Sequence, residues 1–513
     1  MSYKARLSAL ERDGDVSLTD QIVSAFERAI AAGEVEAGEK LPPTRELAEL
    51  AGVNHLTAAR AYRRLAEHGL VTARVGAGTF VRGSGAASEL RAPVVPPGSP
   101  GPTGTAWQHY ALPEPITEYS DTVLTDMHRT AAGFDPDLIP LMAGYPPNEI
   151  LPTERVGELA AEVMADLGPR ALQYEMVEGA AELREQVAAL VARDGLDEHP
   201  DRIVITSGAY QALTLVSRAV VRPGETVACE SPSFAGVIAA SRMAGANVLP
   251  VPTDDDGLDV DALEHLLARH EIRLVSLQPR LQNPTGRDLA PERRARLIEL
   301  SRRHGFFILE DAVYSHLRFD GTDDGALRPL APERVIFVQS LSKTVSPGLR
   351  VGWMIASGPV RERLVQQKRH DDMNSAPLTQ QIAARYLAAG DYEPQLERAI
   401  AVHRRGLEAA TAAVDSHLGG FVELVHEPLG GAHLWLALRD PLDERVLYRE
   451  AVAAGVNFMP AGAAMPERPE RTFLRISYSY LDPDRLREGV RRLGVAIRAA
   501  RRAEAPRQAL PLA

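Results

Sequence analysis

Cysteine is almost absent from this chain. Cys229 is the only one in 513 residues, so no internal disulfide framework is possible and a reducing compartment fits. At the end of an apolar run it reads as a small buried residue rather than a catalytic thiol. Long hydrophobic runs are missing too. No apolar stretch reaches the roughly 18–20 residues of a membrane span, and the opening Met1-Ser2-Tyr3-Lys4-Ala5-Arg6 lacks the apolar core of a secretory signal. Excess positive charge is also lacking: the net charge is -12, so any contact with nucleic acid must be confined to a local patch. No internal repeat and no metal-ligand cluster is evident. Together these absences point to a cytoplasmic protein with no membrane partner and no metal.

What is present is the composition of a globular protein, 45% hydrophobic and 25% charged. The length suggests about three units of roughly 100–200 residues. Residues 1–83 carry three compact helical patterns and two short strands. In the first helix Ile22, Ala25, Phe26, Ala29 and Ile30 recur at helical spacing, and Gly33 is its expected stop. Thr44 is the expected N-cap of a short helix closed by Gly52, and Asn54 of a third helix ending at Gly69. Strands from Leu70 to Val75 and Thr79 to Arg82 complete a winged helix-turn-helix. Residues 84–130 read as a Pro/Gly/Ala-rich linker that cannot bury enough apolar surface to fold.

Residues 131–505 alternate apolar strand-like runs with helical patterns, which predicts a doubly wound α/β domain. The expected strands are Arg202 to Thr206, Thr226 to Cys229, Asn247 to Val251, Leu274 to Leu277, Phe306 to Glu310, Val335 to Val338 and Val351 to Ala356. After about Arg369 the pattern turns to longer helices, with strands near Ala432 to Leu438 and Thr472 to Ser477. That predicts a smaller C-terminal α+β subdomain.

In the second helix-turn-helix helix, inward-facing Ala58, Ala61, Tyr62 and Leu65 leave His55, Thr57, Arg60, Arg63 and Arg64 outside. With Arg74 and Arg82 these form the local basic patch that an acidic protein needs in order to meet DNA. Leu41-Pro42-Pro43-Thr44-Arg45-Glu46-Leu47-Ala48, Gly52-Val53-Asn54, Ala61-Tyr62-Arg63-Arg64-Leu65 and Gly76-Ala77-Gly78-Thr79-Phe80-Val81 resemble the GntR-type winged helix. The resemblance implies double-stranded operator DNA as a partner, contacted through Arg45, Asn54, His55, Thr57, Arg60 and the wing glycine Gly78. Many members carry arginine where this chain has His55.

A second constellation follows in the α/β region. Ser340-Leu341-Ser342-Lys343 is followed by Pro347-Gly348, with Arg350 seven positions beyond the lysine. Such a lysine can form an imine with a phosphorylated aldehyde while hydroxyls and a guanidinium bind the phosphate. Thr206-Ser207-Gly208-Ala209-Tyr210 ends a strand and opens a helix, where backbone N–H groups favour a phosphate. Asn283-Pro284-Thr285-Gly286 offers an amide on a tight turn. Glu310-Asp311-Ala312-Val313-Tyr314 offers a carboxylate at a strand end and a phenol three residues later. Arg475 lies on a late strand, suited to a carboxylate if buried and unremarkable if on an edge.

In order and spacing these motifs resemble the fold-type I pyridoxal-phosphate enzymes, the aminotransferase type. That resemblance implies pyridoxal 5'-phosphate as cofactor and Lys343 as the catalytic lysine. It places Asp311 at the pyridine nitrogen, Asn283 and Tyr314 at the ring oxygen, and Phe234 stacked on the ring. The phosphate falls to Ala209, Tyr210, Ser340, Ser342 and Arg350, with Tyr174 reaching the cofactor of a homodimer partner. Gly144 and Arg475 fall at the substrate. The whole chain resembles the MocR subfamily of regulators, in which such a domain senses an amino acid, an amine or pyridoxal phosphate itself. The alternative function is a working aminotransferase acting on an α-amino acid.

Overall fold

The computed structural model describes residues 18–31, 39–67, 71–74 and 78–81, the single residues 7, 10, 34 and 35, and residues 137–504 except 323, 324, 468 and 470. The expected linker, together with Gly33, Gly69, Gly76, Ala77 and Arg82, lies outside the described residues. The chain divides into two compact units between Pro115 and Ile116.

In the first unit, helix α1 (Leu18–Ala31), helix α2 (Thr44–Ala51) and helix α3 (His55–Glu67) precede the antiparallel strands β1 (Val71–Arg74) and β2 (Gly78–Val81). Ile22, Ala25, Phe26 and Ala29 are buried as their spacing predicts, against Leu47, Ala58, Ala61, Tyr62 and Leu65. The side chain of Ile30 is outside the described residues. Thr44 does not cap α2: Pro43 holds that position with no side-chain bond, and Thr44 is the first helical residue. Proline fits there because its fixed φ leads into a helix and it has no N–H to leave unpaired. Gly52 ends α2 in the left-handed conformation, and Asn54 caps α3, its Oδ1 accepting from the Thr57 amide at 2.8 Å and hydroxyl at 3.0 Å. One pairing was not expected from the sequence. The segment 39–41 adds to the hairpin, with the Leu41 amide on Thr79 at 2.8 Å and the Val81 amide on Glu39 at 2.9 Å.

The second unit is built on an eight-stranded sheet. Its strands are β3 (Ile203–Thr206), β4 (Thr226–Ser231), β5 (Asn247–Asp254), β6 (Gly257–Leu258), β7 (Ile272–Leu277), β8 (Phe307–Asp311), β9 (Val335–Ser340) and β10 (Gly352–Ile355). Their order is β3-β10-β9-β8-β7-β4-β5-β6. The expected strands form within a few residues of their predicted ends. The central ones read as apolar runs because helices cover both faces, whereas β5, next to the edge, is only partly buried. The sheet is mixed rather than purely parallel: β10 runs antiparallel to both neighbours, and β6 folds back on β5. The smaller subdomain pairs strands in the order β11 (Val422–Leu424), β12 (His433–Leu438), β14 (Phe473–Ser477), β13 (Met459–Pro460). It packs against the long helices Tyr392–Leu418 and Pro483–Glu504. β14 is therefore interior, which removes the edge-strand reading of Arg475. Cys229 is fully buried in β4, and burial pushes its thiol up to about 12, as a packing residue requires.

Candidate functional site

Register gathers the site at one end of the large sheet. Thr206 pairs with Gly352, and Gly352 with Ser340, so the segments beyond those residues emerge side by side. On the other flank Val338 pairs with Asp311, which sets the carboxylate beside the start of the lysine loop. Strand ends of this kind are where open α/β sheets place their ligands. Gly352 and Gly208 permit the close approach. A Cβ on Gly352 would lie 2.7 Å from the Gly208 carbonyl carbon, and one on Gly208 would meet the Arg350 guanidinium at 2.6 Å. Gly208 also holds φ at 83°, the left-handed region, just before the helix Ala209–Val220.

A cavity of about 150 Å³ opens there. Ala209, Tyr210, Phe234, Asn283, Asp311, Tyr314, Ser340, Ser342, Lys343 and Arg350 all line it. Tyr174 does not; it is 79% exposed on the single chain. Gly236 lets the two aromatic side chains meet, since a Cβ there would lie 2.4 Å from the Phe234 ring and 2.9 Å from that of Tyr210.

Asp311 is buried, and burial raises its carboxyl to about 6, opposed by the Val313 amide, the Gln278 side chain and the nearby Lys343. The Gln278 Nε2 donates to Asp311 at 2.8 Å, and its Oε1 accepts from the Asn283 amide at 2.8 Å. One side chain thus ties two predicted site residues together. Beneath it Glu230 accepts from the Gln278 amide at 2.9 Å, and burial raises that carboxyl to about 8. Lys343 Nζ donates to the Gly144 carbonyl at 2.7 Å and stands 5.5 Å from the centre of the Tyr314 ring.

Arg475 is buried among polar groups that carry no charge. Its Nη1 donates to the Asn283 side-chain oxygen at 3.0 Å and its Nη2 to the Met142 carbonyl at 2.8 Å, while its Nε has no partner. It has no carboxylate partner among the described residues, and burial lowers its guanidinium to about 10. A desolvated, unpaired cation costs several kcal/mol (about 3–5 when a partner is removed) and is kept where an anion arrives. The arrangement can hold an α-carboxylate beside an amine-bearing lysine.

Sequence reasoning missed two residues here. Gln278 lies five positions before Asn283, and His433 opens β12. His433 Nε2 lies 3.1 Å from the Tyr314 hydroxyl, its Nδ1 is buried without a partner among the described residues, and a Cβ on Gly144 would strike its ring at 2.3 Å. The available signal was one imidazole in the otherwise apolar run Ala432-His433-Leu434-Trp435-Leu436.

In the first unit Arg45, Asn54, His55, Arg60 and Arg64 are exposed and Thr57 is half-buried. Arg45 lies on α2, the others on α3 and its cap, and Gly78 opens β2. The side chains of Arg63 and Arg74 are outside the described residues. Asn54 also spends its amide oxygen on the cap of α3. Among the described residues no helix is long and apolar enough to cross a membrane.

The family aminotransferase class I and II matches residues 136–493, and bacterial regulatory proteins, gntR family, matches residues 18–81. The chain is 29% identical over 492 residues to the uncharacterized HTH-type transcriptional regulator YisV of Bacillus subtilis strain 168, covering 94% of this chain and 96% of that one. It is 27% identical over 493 residues to the probable rhizopine catabolism regulatory protein MocR of Rhizobium meliloti, covering 96% of each. Among solved structures, the second unit is similar to the α-aminoadipate aminotransferase LysN of Thermus thermophilus, complexed with N-(5'-phosphopyridoxyl)-L-leucine. The TM-score is 0.67 at 34% identity, covering 72% of this chain and 94% of that one.

Proposed function

The chain belongs to the aminotransferase class I and II family, with a gntR-family domain ahead of it in the MocR arrangement, and on that premise we propose a cytoplasmic DNA-binding transcription regulator whose pyridoxal phosphate pocket receives an amino-acid or amine signal. One observation carries this most: both units are joined in one chain that HTH-type regulators match over 94% and 96% of its length. A metabolic aminotransferase has no need of a winged helix.

When bound, pyridoxal phosphate supplies an aldehyde that condenses with amines and a ring that withdraws electrons from them. The pocket residues fit that group. Lys343 is the amine to hold it, and Asp311, kept in place by Gln278, is the acceptor for a protonated pyridine nitrogen. Asn283 and Tyr314 are donors for the ring oxygen, and Phe234 is the ring to stack on it. Ser340, Ser342, Arg350 and the helix opening at Ala209 and Tyr210 form the phosphate cradle. The guanidinium of Arg475, which has no carboxylate partner among the described residues, binds the carboxylate of an arriving amino acid, and Gly144, where a Cβ would strike the His433 ring, contacts that amino acid through its backbone. In a homodimer the exposed Tyr174 reaches the partner's cofactor phosphate.

The first unit offers Arg45, Asn54, His55, Thr57, Arg60 and Gly78 to operator DNA. An effector moves DNA affinity only by binding two conformations unequally. An amino acid whose carboxylate meets Arg475 and whose amine lies beside Lys343 would engage two elements at once, which would give it that differential grip.

The deciding measurement is a titration of full-length protein on operator DNA, with and without pyridoxal phosphate and a panel of amino acids and amines. A shift in DNA affinity of about 5- to 150-fold is expected for one of them, and Lys343→Ala abolishes the shift while leaving basal affinity within a few-fold. Sustained keto-acid production with unchanged DNA affinity would instead establish a working aminotransferase.

A further inference from the structure

His433 lies among charged and titratable groups yet belongs to none of the roles above. It starts β12 opposite Ser477, two residues from the Trp435–Arg475 pair, so it lies on the same face of that sheet as Arg475. Its side chain is buried against Gly144, whose carbonyl takes the Lys343 ammonium. Lys343, Arg475 and the second buried imidazole, His403, surround it, and burial together with these neighbours holds it neutral.

A neutral imidazole has two ways to meet the Tyr314 hydroxyl. If the phenol donates to Nε2, the ring proton sits on Nδ1, where a buried N–H has no acceptor. If Nε2 carries the proton and donates to the phenol oxygen, Nδ1 is a bare lone pair. Orphaned buried N–H groups are rarer in proteins than under-satisfied acceptors. The second tautomer is therefore favoured, and it turns the Tyr314 O–H away from His433. Among the described residues the other acceptor within reach of that proton is the Gly144 carbonyl, at a long 3.5 Å and shared with Lys343 at 2.7 Å. The phenol proton is thus only weakly held.

We propose that His433 is a positioning residue: its Nε2–H fixes the Tyr314 hydroxyl so that its proton points at the ring oxygen of pyridoxal phosphate. This rests on the pyridoxal phosphate reading above. A well-aimed hydrogen bond to that oxygen stabilises its anionic form, which lowers the proton affinity of the imine nitrogen held by Lys343. His433 sets how strongly that bond is made.

The test is the pH titration of the visible chromophore in full-length protein loaded with pyridoxal phosphate. His433→Met, similar in bulk but without a donor, raises the midpoint by about half to one pH unit, a three- to tenfold gain in proton affinity. His433→Gln, whose amide N–H reaches the same position, restores the wild-type midpoint. Tyr314→Phe raises it at least as far, and adding His433→Met to Tyr314→Phe moves it no further, since the second change has nothing left to orient. Should the methionine variant fold poorly by circular dichroism, His433→Asn, too short to reach Tyr314, must give the same upward shift. An unchanged midpoint in the donor-less variants, or a further shift in the Tyr314→Phe background, overturns the proposal. A wild-type protein with no chromophore that Lys343→Ala removes would sink the pyridoxal phosphate reading with it.

Discussion

The two units use arginine in opposite ways. Arg45, Arg60 and Arg64 of the first unit stand exposed, whereas Arg280, Arg328 and Arg475 of the second are buried. A cation meant for DNA stays hydrated until phosphates displace its counterions, so its pull is long-range and weakened by salt. A cation inside a pocket has already lost its water. Arg280 and Arg328 are compensated by Asp194 and Glu198, each at 2.6 Å, but Arg475 has only an amide oxygen and a backbone carbonyl. On the proposed function, burial without an opposing carboxylate suits a small anionic ligand, and exposure on the first unit suits DNA.

The comparison breaks first at Arg475. Arg475→Ala should weaken amino-acid binding by about 30-fold to several thousand-fold, since truncating one side of a buried charge pair costs about 2–5 kcal/mol. Basal DNA affinity should stay within a few-fold; amino-acid titration of the chromophore checks the first and operator binding the second. Acid tests the buried side next. Burial holds His403 down at about 4 instead of 6.5. Between those values only the unfolded chain takes the proton, so the stability is present above the upper value and is lost as pH falls through the lower one. The loss is up to about 3 kcal/mol, and His403→Leu should flatten it in urea midpoints taken across that range. Arg45→Ala should weaken operator binding by about tenfold without altering the chromophore, and the log affinity of the wild-type protein should fall linearly with log salt. A spectral change in that variant, or a flat salt response, would erase the division between the units. The smallest effect is local: Asn54→Ala removes the cap of α3 and costs about 1 kcal/mol in the thermal unfolding of the full chain.

The large sheet was legible because its central strands are buried on both faces and appear as apolar runs closed by polar or glycine residues, as in Val335–Ser340 and Phe307–Asp311. Lys343, Asp311 and Asn283 stood out because their segments follow such strands. Strand direction did not show, since apolar spacing is the same either way, and so β10 was not recognised as antiparallel. Residue type alone makes Thr44 a cap, whereas the proline before it already fixes the helix entry. His433 and Gln278 were hidden for another reason. Each is a single polar residue whose partner lies far along the chain, 119 residues away for Tyr314 and 33 for Asp311. No spacing rule reaches that far.

The reversed strand β10 has a kinetic consequence. Lys343 and Arg350 both lie in the short connection between β9 and β10, a hairpin-like unit paired from Ser340–Gly352 to Phe337–Ile355. Closing so short a loop carries little entropy, whereas Asn283 and Arg475 must be brought together across 192 residues. Lys343 and Arg350 therefore belong to an early-forming piece, and the Asn283–Arg475 contact to a late one. Pulse-labelled hydrogen exchange during refolding should protect the amides of Phe337 and Ile355 before those of β14; the reverse order would refute this sequence of assembly.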